Sequence, residues 1–451
     1  MKQANHLGAC MVLLIFASML ILSACGSGGG AGGSDIGKIS YAPENCEIDG
    51  QNRFVHKVML DTYYWYKEVP TSLDYSSFSS PEEVLDFVRY YPEKDRFSYI
   101  TTTEQFQGFF EEGKFIGLGA SFLILTDGRL ITRFVFPDSP AARAGVARGD
   151  EILTINGKTI KEITDGLLWD SIFGEDKEGV AVELEVKFRD ATIKTIELVK
   201  EIVTIKTILH SEVIERNGVK VGYFVFNAFI NPSAAELETL FADFKTAGVT
   251  ELVLDLRYNG GGLVSVARIL ASYIYGNNSG SEIFVNFNHN DRYPHWAWNY
   301  HFSPALPDRL NLQRIFVLTQ PGTCSASELV INGLKPFIEV VQIGQKTCGK
   351  PVGVYGHEFC GKRIQAIEFE TTNHNNNGGY FDGIQADCSA LDDPTQLFGA
   401  ADENLLATTL GYIDNGTCPS VSVASRRALQ QQQETVLPEL YQGFRREIGA
   451  F

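Results

Sequence analysis

The spacing of apolar residues changes twice along the chain, and the changes divide it. From Asn52 to Tyr66 apolar and aromatic residues recur at helical spacing until Pro70 ends the run, and Ser80-Pro81-Glu82-Glu83 has the form of a capping box opening a second helix through Arg89. Between Lys114 and Val203 the period falls to two. Val182, Leu184, Val186 and Phe188 alternate with charged residues as in a half-buried strand, with further strands at Arg129 to Phe136 and Gly149 to Gly157. Ser139 to Ala144 is a short helix stopped by Gly145. From Thr207 strands and helices alternate. Asn217-Gly218 predicts a hairpin into a strand at Val219 to Phe226. Ser233 and Glu236 predict a capping box on a helix burying Leu237, Leu240, Phe241 and Phe244. A strand at Glu251 to Leu256 leads through Gly260-Gly261-Gly262 to a helix ending near Tyr275. Ser281 to Pro307, rich in Asn, His and aromatics, reads as a long excursion over the surface. Strands at Arg314 to Leu318 and Val340 to Ile343 flank a helix from Ser325 to Leu334. The pattern predicts an α/β core preceded by a β-rich domain and a small helical region.

Composition narrows the function classes. With 451 residues there is room for two or three domains, and 44% hydrophobic and 12% aromatic content fit a globular protein. A net charge of −17 argues against nucleic acid as a partner, since phosphate contacts need a basic surface.

The first residues are a targeting segment: Lys2 supplies a positive start, and Met11 to Leu22 is an apolar run short for a spanning helix. Leu22-Ser23-Ala24-Cys25 resembles the lipobox of bacterial lipoproteins. That resemblance implies cleavage before Cys25 and a lipid on its sulfur. Gly26 to Ser34 suits a flexible tether. The absence of an acidic residue after Cys25 implies, by the same analogy, the outer membrane, facing the periplasm or the cell surface. An exported chain lets its six remaining cysteines (Cys46, Cys324, Cys348, Cys360, Cys388 and Cys418) form disulfides. Sequence leaves the pairing open. Cys324 precedes Ser325 directly and Cys348 lies two before Lys350, so these two cysteines should lie close if the Ser and Lys side chains meet, and a disulfide between them would clamp the two segments. No CxxC pair or His spacing supports zinc, and no metal or cofactor is expected.

Ser325 lies where a strand gives way to a helix, at the carboxyl edge of the predicted sheet. Lys350 follows after one helix and one strand, the span needed to return to that edge. A buried lysine can supply the neutral amine that a general base requires, which an arginine cannot. Unpaired N–H groups at a helix N-terminus favour an oxyanion, and Gly261 sits at another strand end with the same orientation. Spacing alone also permits a plain reading, with Ser325 or Ser327 as a helix cap and Lys350 as a solvated turn residue. His357 and His374 do not make a convincing Ser–His triad, because no Gly-x-Ser-x-Gly elbow is present. Asp382, Asp387, Asp392 and Asp393 read as solvated loop carboxylates rather than a metal cluster.

Two resemblances extend this reading. Gly117-Leu118-Gly119 with Ser139-Pro140-Ala141-Ala142, Gly145-Val146 and Gly149-Asp150 resembles a PDZ domain over Lys114 to Val203. Such a domain implies capture of a peptide C-terminus on the backbone N–H groups of Gly117, Leu118 and Gly119, with the peptide adding a strand. Ser325-Ala326-Ser327-Glu328, Thr347-x-Gly349-Lys350 and Asp255-Leu256-Arg257-x-Asn259-Gly260-Gly261-Gly262 resemble the C-terminal processing (tail-specific) peptidases. The resemblance implies a Clp protease/crotonase-like α/β core. It makes Ser325 the nucleophile and Lys350 the base, with Gly261 and Ala326 as the oxyanion hole and Glu328 and Thr347 in support. The glutamine that many members carry four residues after the lysine is Val354 here, and Gln365 or Thr347 are candidates to orient the lysine instead. The expected plan is a signal peptide over 1–24, a tether over 25–40, a helical region over 41–113, a PDZ domain over 114–203, a peptidase core over 204–418 and a tail over 419–451. The partners implied are proteins or peptides with apolar C-termini, and a membrane through the lipid. A catalytically inactive peptide-binding protein of the envelope is the alternative.

Overall fold

Alternation along Val219–Phe226 decides the layers of the core. Val221, Tyr223 and Val225 face a layer closed by Leu405, Leu406 and Leu410 of the helix Asn404–Asn415, while Phe224 and Phe226 face the opposite side. There they pack with three further helices, Ser233–Ala247, Val264–Ile274 and Ala326–Leu334. The computed structural model describes residues 35–90, 94–169, 171–276, 280–304 and 306–420. The lipobox and the tether through residue 34, and the tail from 421 onward, lie outside the described residues.

The core sheet has six strands in the order Ile208–Arg216, Val219–Phe226, Glu251–Asp255, Arg314–Thr319, Glu339–Gly344 and Cys388–Ser389. The first pair is antiparallel and joined at Asn217-Gly218; the other pairings are parallel. Parallel order brings the loops after Phe226, Asp255, Thr319 and Gly344 to one edge of the sheet, where this fold class places its sites.

The β-rich domain is a six-stranded antiparallel sheet, with Ala120–Ile124, Leu130–Val135, Glu151–Ile155, Ala181–Lys187 and Ile193–Val199 in that order and the short Lys158–Thr159 paired to Glu151–Ile155 off this path. Ala120–Ile124 is an edge strand, paired only with Leu130–Val135 among the described residues. A ribbon of Lys114–Gly117 with Glu201–Thr204 carries the chain in and out of this domain. The N-terminal helices Ile48–Asp61 and Pro81–Val88 bury Phe54, Val58, Val84 and Leu85 against Val352, Phe359 and Ile364. Among the described residues no helix is long and apolar enough to cross a membrane.

Three expectations need correction. Residues 281–307 are not a surface excursion: Ile283–His289 and Trp298–His301 belong to a four-stranded sheet with Ile367–Thr372 and Val352–Val354, and Phe284, Phe287 and Phe302 are buried. The Asn and His residues disguised an alternation that places Val285 and Phe287 on one face. Ser233 and Glu236 form no capping box. The Ser233 hydroxyl donates to Ala228 O, and Glu236 accepts N–H groups of Thr207 and Ile208 on the neighbouring strand. Asp392 is not a solvated carboxylate, as the site shows.

Candidate active site

Three of the loops at the carboxyl edge carry the candidate chemistry. After Thr319, the turn Gln320–Ser325 is tied down by Thr323, whose hydroxyl donates to Leu256 O while Cys324 N–H donates to Asn259 O. Ser325 ends the turn in a backbone conformation L side chains rarely adopt, φ +52°, directly before the helix Ala326–Leu334. Such strain persists only where neighbours enforce it. After Asp255, the glycine loop bends back so closely that a Cβ on Gly261, at φ +109°, would stand 2.8 Å from Ser325 Cβ and 2.9 Å from Ala326 N. Only glycine fits there.

After Gly344, the segment Gln345–Lys350 runs beside the serine turn, and Cys348 N–H donates to Thr323 O. Cys348 is disulfide-bonded to Cys324, with Cα atoms 5.2 Å apart. The other pairs are Cys46–Cys360 and Cys388–Cys418. Gly349, at φ +87°, lets the backbone of Phe381 come close enough that a Cβ would lie 2.2 Å from its carbonyl oxygen.

One carboxylate joins these segments. Glu328, fully buried on the first turn of the serine helix, accepts the N–H of Ser325 at 3.0 Å and those of Gly349 and Lys350 at 2.8 Å each. It also accepts the Thr347 hydroxyl, which in turn receives Ile384 N–H. Burial pushes the Glu328 carboxyl above its ordinary value, against these four donors, which favour the charged form. Lys350 is 7% exposed, and its Nζ lies 5.1 Å from the centre of the Phe97 ring. Arg96, next to Phe97, donates to Cys348 O. The helical N-terminal region therefore covers the lysine segment, a role that its sequence did not announce.

Of the two N–H groups expected in an oxyanion hole, that of Ala326 has no hydrogen-bond partner among the described residues. That of Gly261 donates to Asn259 Oδ1 at 2.8 Å. Thr347 is engaged by Glu328, and Val354 pairs with Ile367 in a sheet. Gln365 is buried on the strand paired with Tyr99, with its Nε2 unpartnered among the described residues. His357 pairs with Glu368, and His374 lies against the Phe337 ring.

A buried ionic cluster underlies the glycine loop. Arg257 meets Asp255 at 2.7 Å, Asp392 at 2.8 Å and Glu403 at 2.7 Å, all nearly inaccessible to solvent. Arg148 of the β-rich domain donates to Tyr258 OH at 2.9 Å, and Tyr258 donates to Asp392. Burial alone would raise the Asp392 carboxyl, but Arg257 and Arg148 outweigh it and hold it below its ordinary value. Asp255 and Arg257 were visible as a motif; Asp392, Glu403 and Arg148 are far away in sequence and gave no signal.

In the β-rich domain, Leu118 O accepts Ala141 N–H and Gly119 O accepts Phe136 N–H. The N–H groups of Leu118 and Gly119 have no hydrogen-bond partner among the described residues, beside the edge strand Ala120–Ile124. Gly119, at φ +77°, packs where a Cβ would lie 2.2 Å from Ser139 Cβ.

Comparison with known proteins gives consistent matches. Residues 220–389 match peptidase family S41, residues 50–99 the peptidase S41 N-terminal domain, and residues 135–166 a PDZ domain. A probable CtpA-like serine protease of Staphylococcus aureus is 29% identical over 335 residues, covering 71% of this chain and 62% of the relative. One from Staphylococcus haemolyticus is 26% identical over 59% of this chain and 51% of that relative. The chain thus spans less than two thirds of the length of these curated relatives. Among solved structures, a putative S41 protease from Bacteroides fragilis superposes with a TM-score of 0.65 at 25% identity, over 84% of this chain and all of that one. A photosystem II D1 C-terminal processing protease shares the fold, with a TM-score of 0.50 at 18% identity over 78% of this chain and 94% of that one.

Proposed function

The chain belongs to peptidase family S41, and from that premise we propose that it is a serine endopeptidase working through Ser325 and Lys350. Ser325 Oγ attacks the scissile carbonyl as Lys350 Nζ takes its proton. Lys350 then protonates the leaving amine, and water resolves the acyl-enzyme. The Ala326 N–H receives the oxyanion, and Gly261 joins it once its N–H is released by Asn259. What carries the reading is the Glu328 carboxylate, which holds the backbone N–H groups of Ser325 and Lys350 together. The Ser325 N–H bond alone would be a capping box, but a helix cap has no need of the N–H groups of Gly349 and Lys350 on another segment. The PDZ domain holds an apolar C-terminal tail against the edge strand Ala120–Ile124, with the tail's carboxylate on Leu118 and Gly119 N–H, and so presents the substrate.

The protein is anchored by a lipid on Cys25 in a bacterial cell envelope. Three disulfides support an oxidising compartment. A Cys25→Ser variant should move from the membrane to the soluble fraction; unchanged membrane association would remove the anchor from the proposal.

Incubation with an unfolded protein tests the chemistry. Ser325→Ala and Lys350→Ala should each lower the rate at least ~1000-fold, measured over a range of pH for the lysine variant. Cleavage surviving Ser325→Ala would sink the assignment. A non-catalytic peptide-binding protein is the second reading, favoured by Val354 and by the engaged Gly261 N–H. Absence of cleavage across varied substrates, with tail binding retained, would establish it.

A further inference from the structure

The mechanism uses Glu328 as a brace and leaves the sulfurs beside it without a chemical role. Cys324 Sγ, Cys348 Sγ and a Glu328 carboxylate oxygen all lie within 4.8 Å of one another. Cys324 and Glu328 are buried, and Cys348 is half-buried. In the disulfide the sulfurs are poor metal ligands. As thiolates, with a carboxylate beside them, they are the donor set of a three-ligand zinc site with one open position. We infer that the reduced protein holds a thiophilic divalent cation on Cys324, Cys348 and Glu328, and that the disulfide is what keeps this site closed.

The geometry requires one change. Zinc bonds of about 2.3 Å to sulfur and about 2.0 Å to oxygen place tetrahedral S and O ligands roughly 3.5 Å apart. Cys348 Sγ already lies 3.6 Å from Glu328 Oε2. Only the sulfurs must move, separating from bonded distance to roughly 3.7 Å, with Cys324 Sγ settling from within 4.8 Å of the carboxylate to about 3.5 Å from it. Rotation about χ1 supplies this, because the Cα atoms are 5.2 Å apart and need not move. The reduction balances with a dithiol reductant. Its thiolate attacks the half-buried Cys348 Sγ and expels Cys324 as a thiolate, and its second thiol then resolves the mixed disulfide. Two electrons enter, the reductant leaves as its own disulfide, and the two cysteines are protonated until a cation displaces those protons.

Occupancy acts on the proposed chemistry. The Glu328 Oε2 that would bind the cation is the acceptor for Ser325 N–H and Lys350 N–H. Coordination weakens both bonds and so loosens the hold of the serine helix on the lysine segment. This inhibition rests on the peptidase reading; the binding does not.

The test uses the full chain, reduced with a water-soluble phosphine and desalted under nitrogen. Cobalt(II) should give the near-ultraviolet thiolate charge-transfer band of two sulfur ligands, and zinc should displace it stoichiometrically. Both should vanish in Cys324→Ser/Cys348→Ser and persist in Cys46→Ser/Cys360→Ser. Because the first double variant could misfold, Glu328→Gln provides a second measure, with zinc affinity expected to fall at least tenfold while the thiolate band stays. The same band in Cys324→Ser/Cys348→Ser, or no band in the reduced wild type, overturns the site. Zinc should lower cleavage by the reduced enzyme at least tenfold, reversibly with chelator, and leave the oxidised enzyme unchanged. Equal inhibition of the oxidised enzyme, or a reduced enzyme already inactive without metal, overturns the inhibitory part while the cobalt band still decides the site. A chain that cleaves nothing in either state but shows the band defeats the peptidase reading alone.

Discussion

At Gly261 packing and chemistry are decided by an absent atom. A methyl group there would meet Ser325 Cβ and Cys324 O at 2.8 Å, in a backbone conformation that L residues avoid. Neither neighbour can yield, since Cys324 is held by its disulfide and by Asn259 O. Gly261→Ala should therefore displace the serine turn and lower kcat by roughly 100-fold or more, the scale of a lost oxyanion donor. Circular dichroism should show a folded chain, and a kcat within a few-fold of wild type would remove Gly261 from the site. The pairing of Gly261 with Ser325 was readable as two motifs at strand ends. The Asn259 side chain on the Gly261 N–H was not, because an i, i+2 turn bond leaves no periodic trace.

Elements are joined here by single side chains. Glu328 belongs to the serine helix, yet two of its acceptor bonds come from the backbone of the lysine segment. A glutamine keeps the shape but turns an NH2 group toward donors that need an acceptor. Glu328→Gln should cost about 2–3 kcal/mol of stability, seen in denaturant melts, and should reduce cleavage further than that loss of folded protein explains. A stability unchanged within error would show that the carboxylate is dispensable as a brace. The helix and both strands were legible from apolar period and turn residues. The hairpin between Ile283 and His301 was not, because its Asn and His positions look like loop. Burial of Phe284 and Phe287 against the core reveals it.

The molecule as a whole is fastened by buried charge. Arg257 ties the strand ending at Asp255 to Glu403, the cap of the last helix, and to Asp392, while Arg148 brings the PDZ domain to Tyr258. Neutralising Asp392 takes from Arg257 and Arg148 the carboxylate they share, while Asp255 and Glu403 still face Arg257. Asp392→Asn should destabilise by about 1.5–3 kcal/mol at neutral pH, the scale of a lost hydrogen bond to a charged group. The pH dependence has a definite sign. Asp392 is held below its ordinary value of 3.8, so its stabilisation is complete above that value. It is lost as pH falls through the lower folded value. Melting temperatures of wild type and Asp392→Asn should thus differ most near neutrality and converge below about pH 4; a gap that does not narrow would place the effect in packing instead of charge.

The sequence by itself determined the order of helical region, PDZ-like domain and α/β core, because period and turn chemistry are local. It also set out the candidate pair Ser325 and Lys350, since a nucleophile and a base at successive strand ends of a parallel sheet must face one edge. The disulfide of Cys324 with Cys348 was proposed from their places beside that pair and is present; only the tertiary structure decided the rest: how the other four cysteines join, that Glu328 gathers both backbones, that Phe97 covers the lysine, and that Asp392 is buried. Each depends on residues brought together across long stretches of chain, where burial turns an ordinary side chain into a ligand, a brace or a counter-charge.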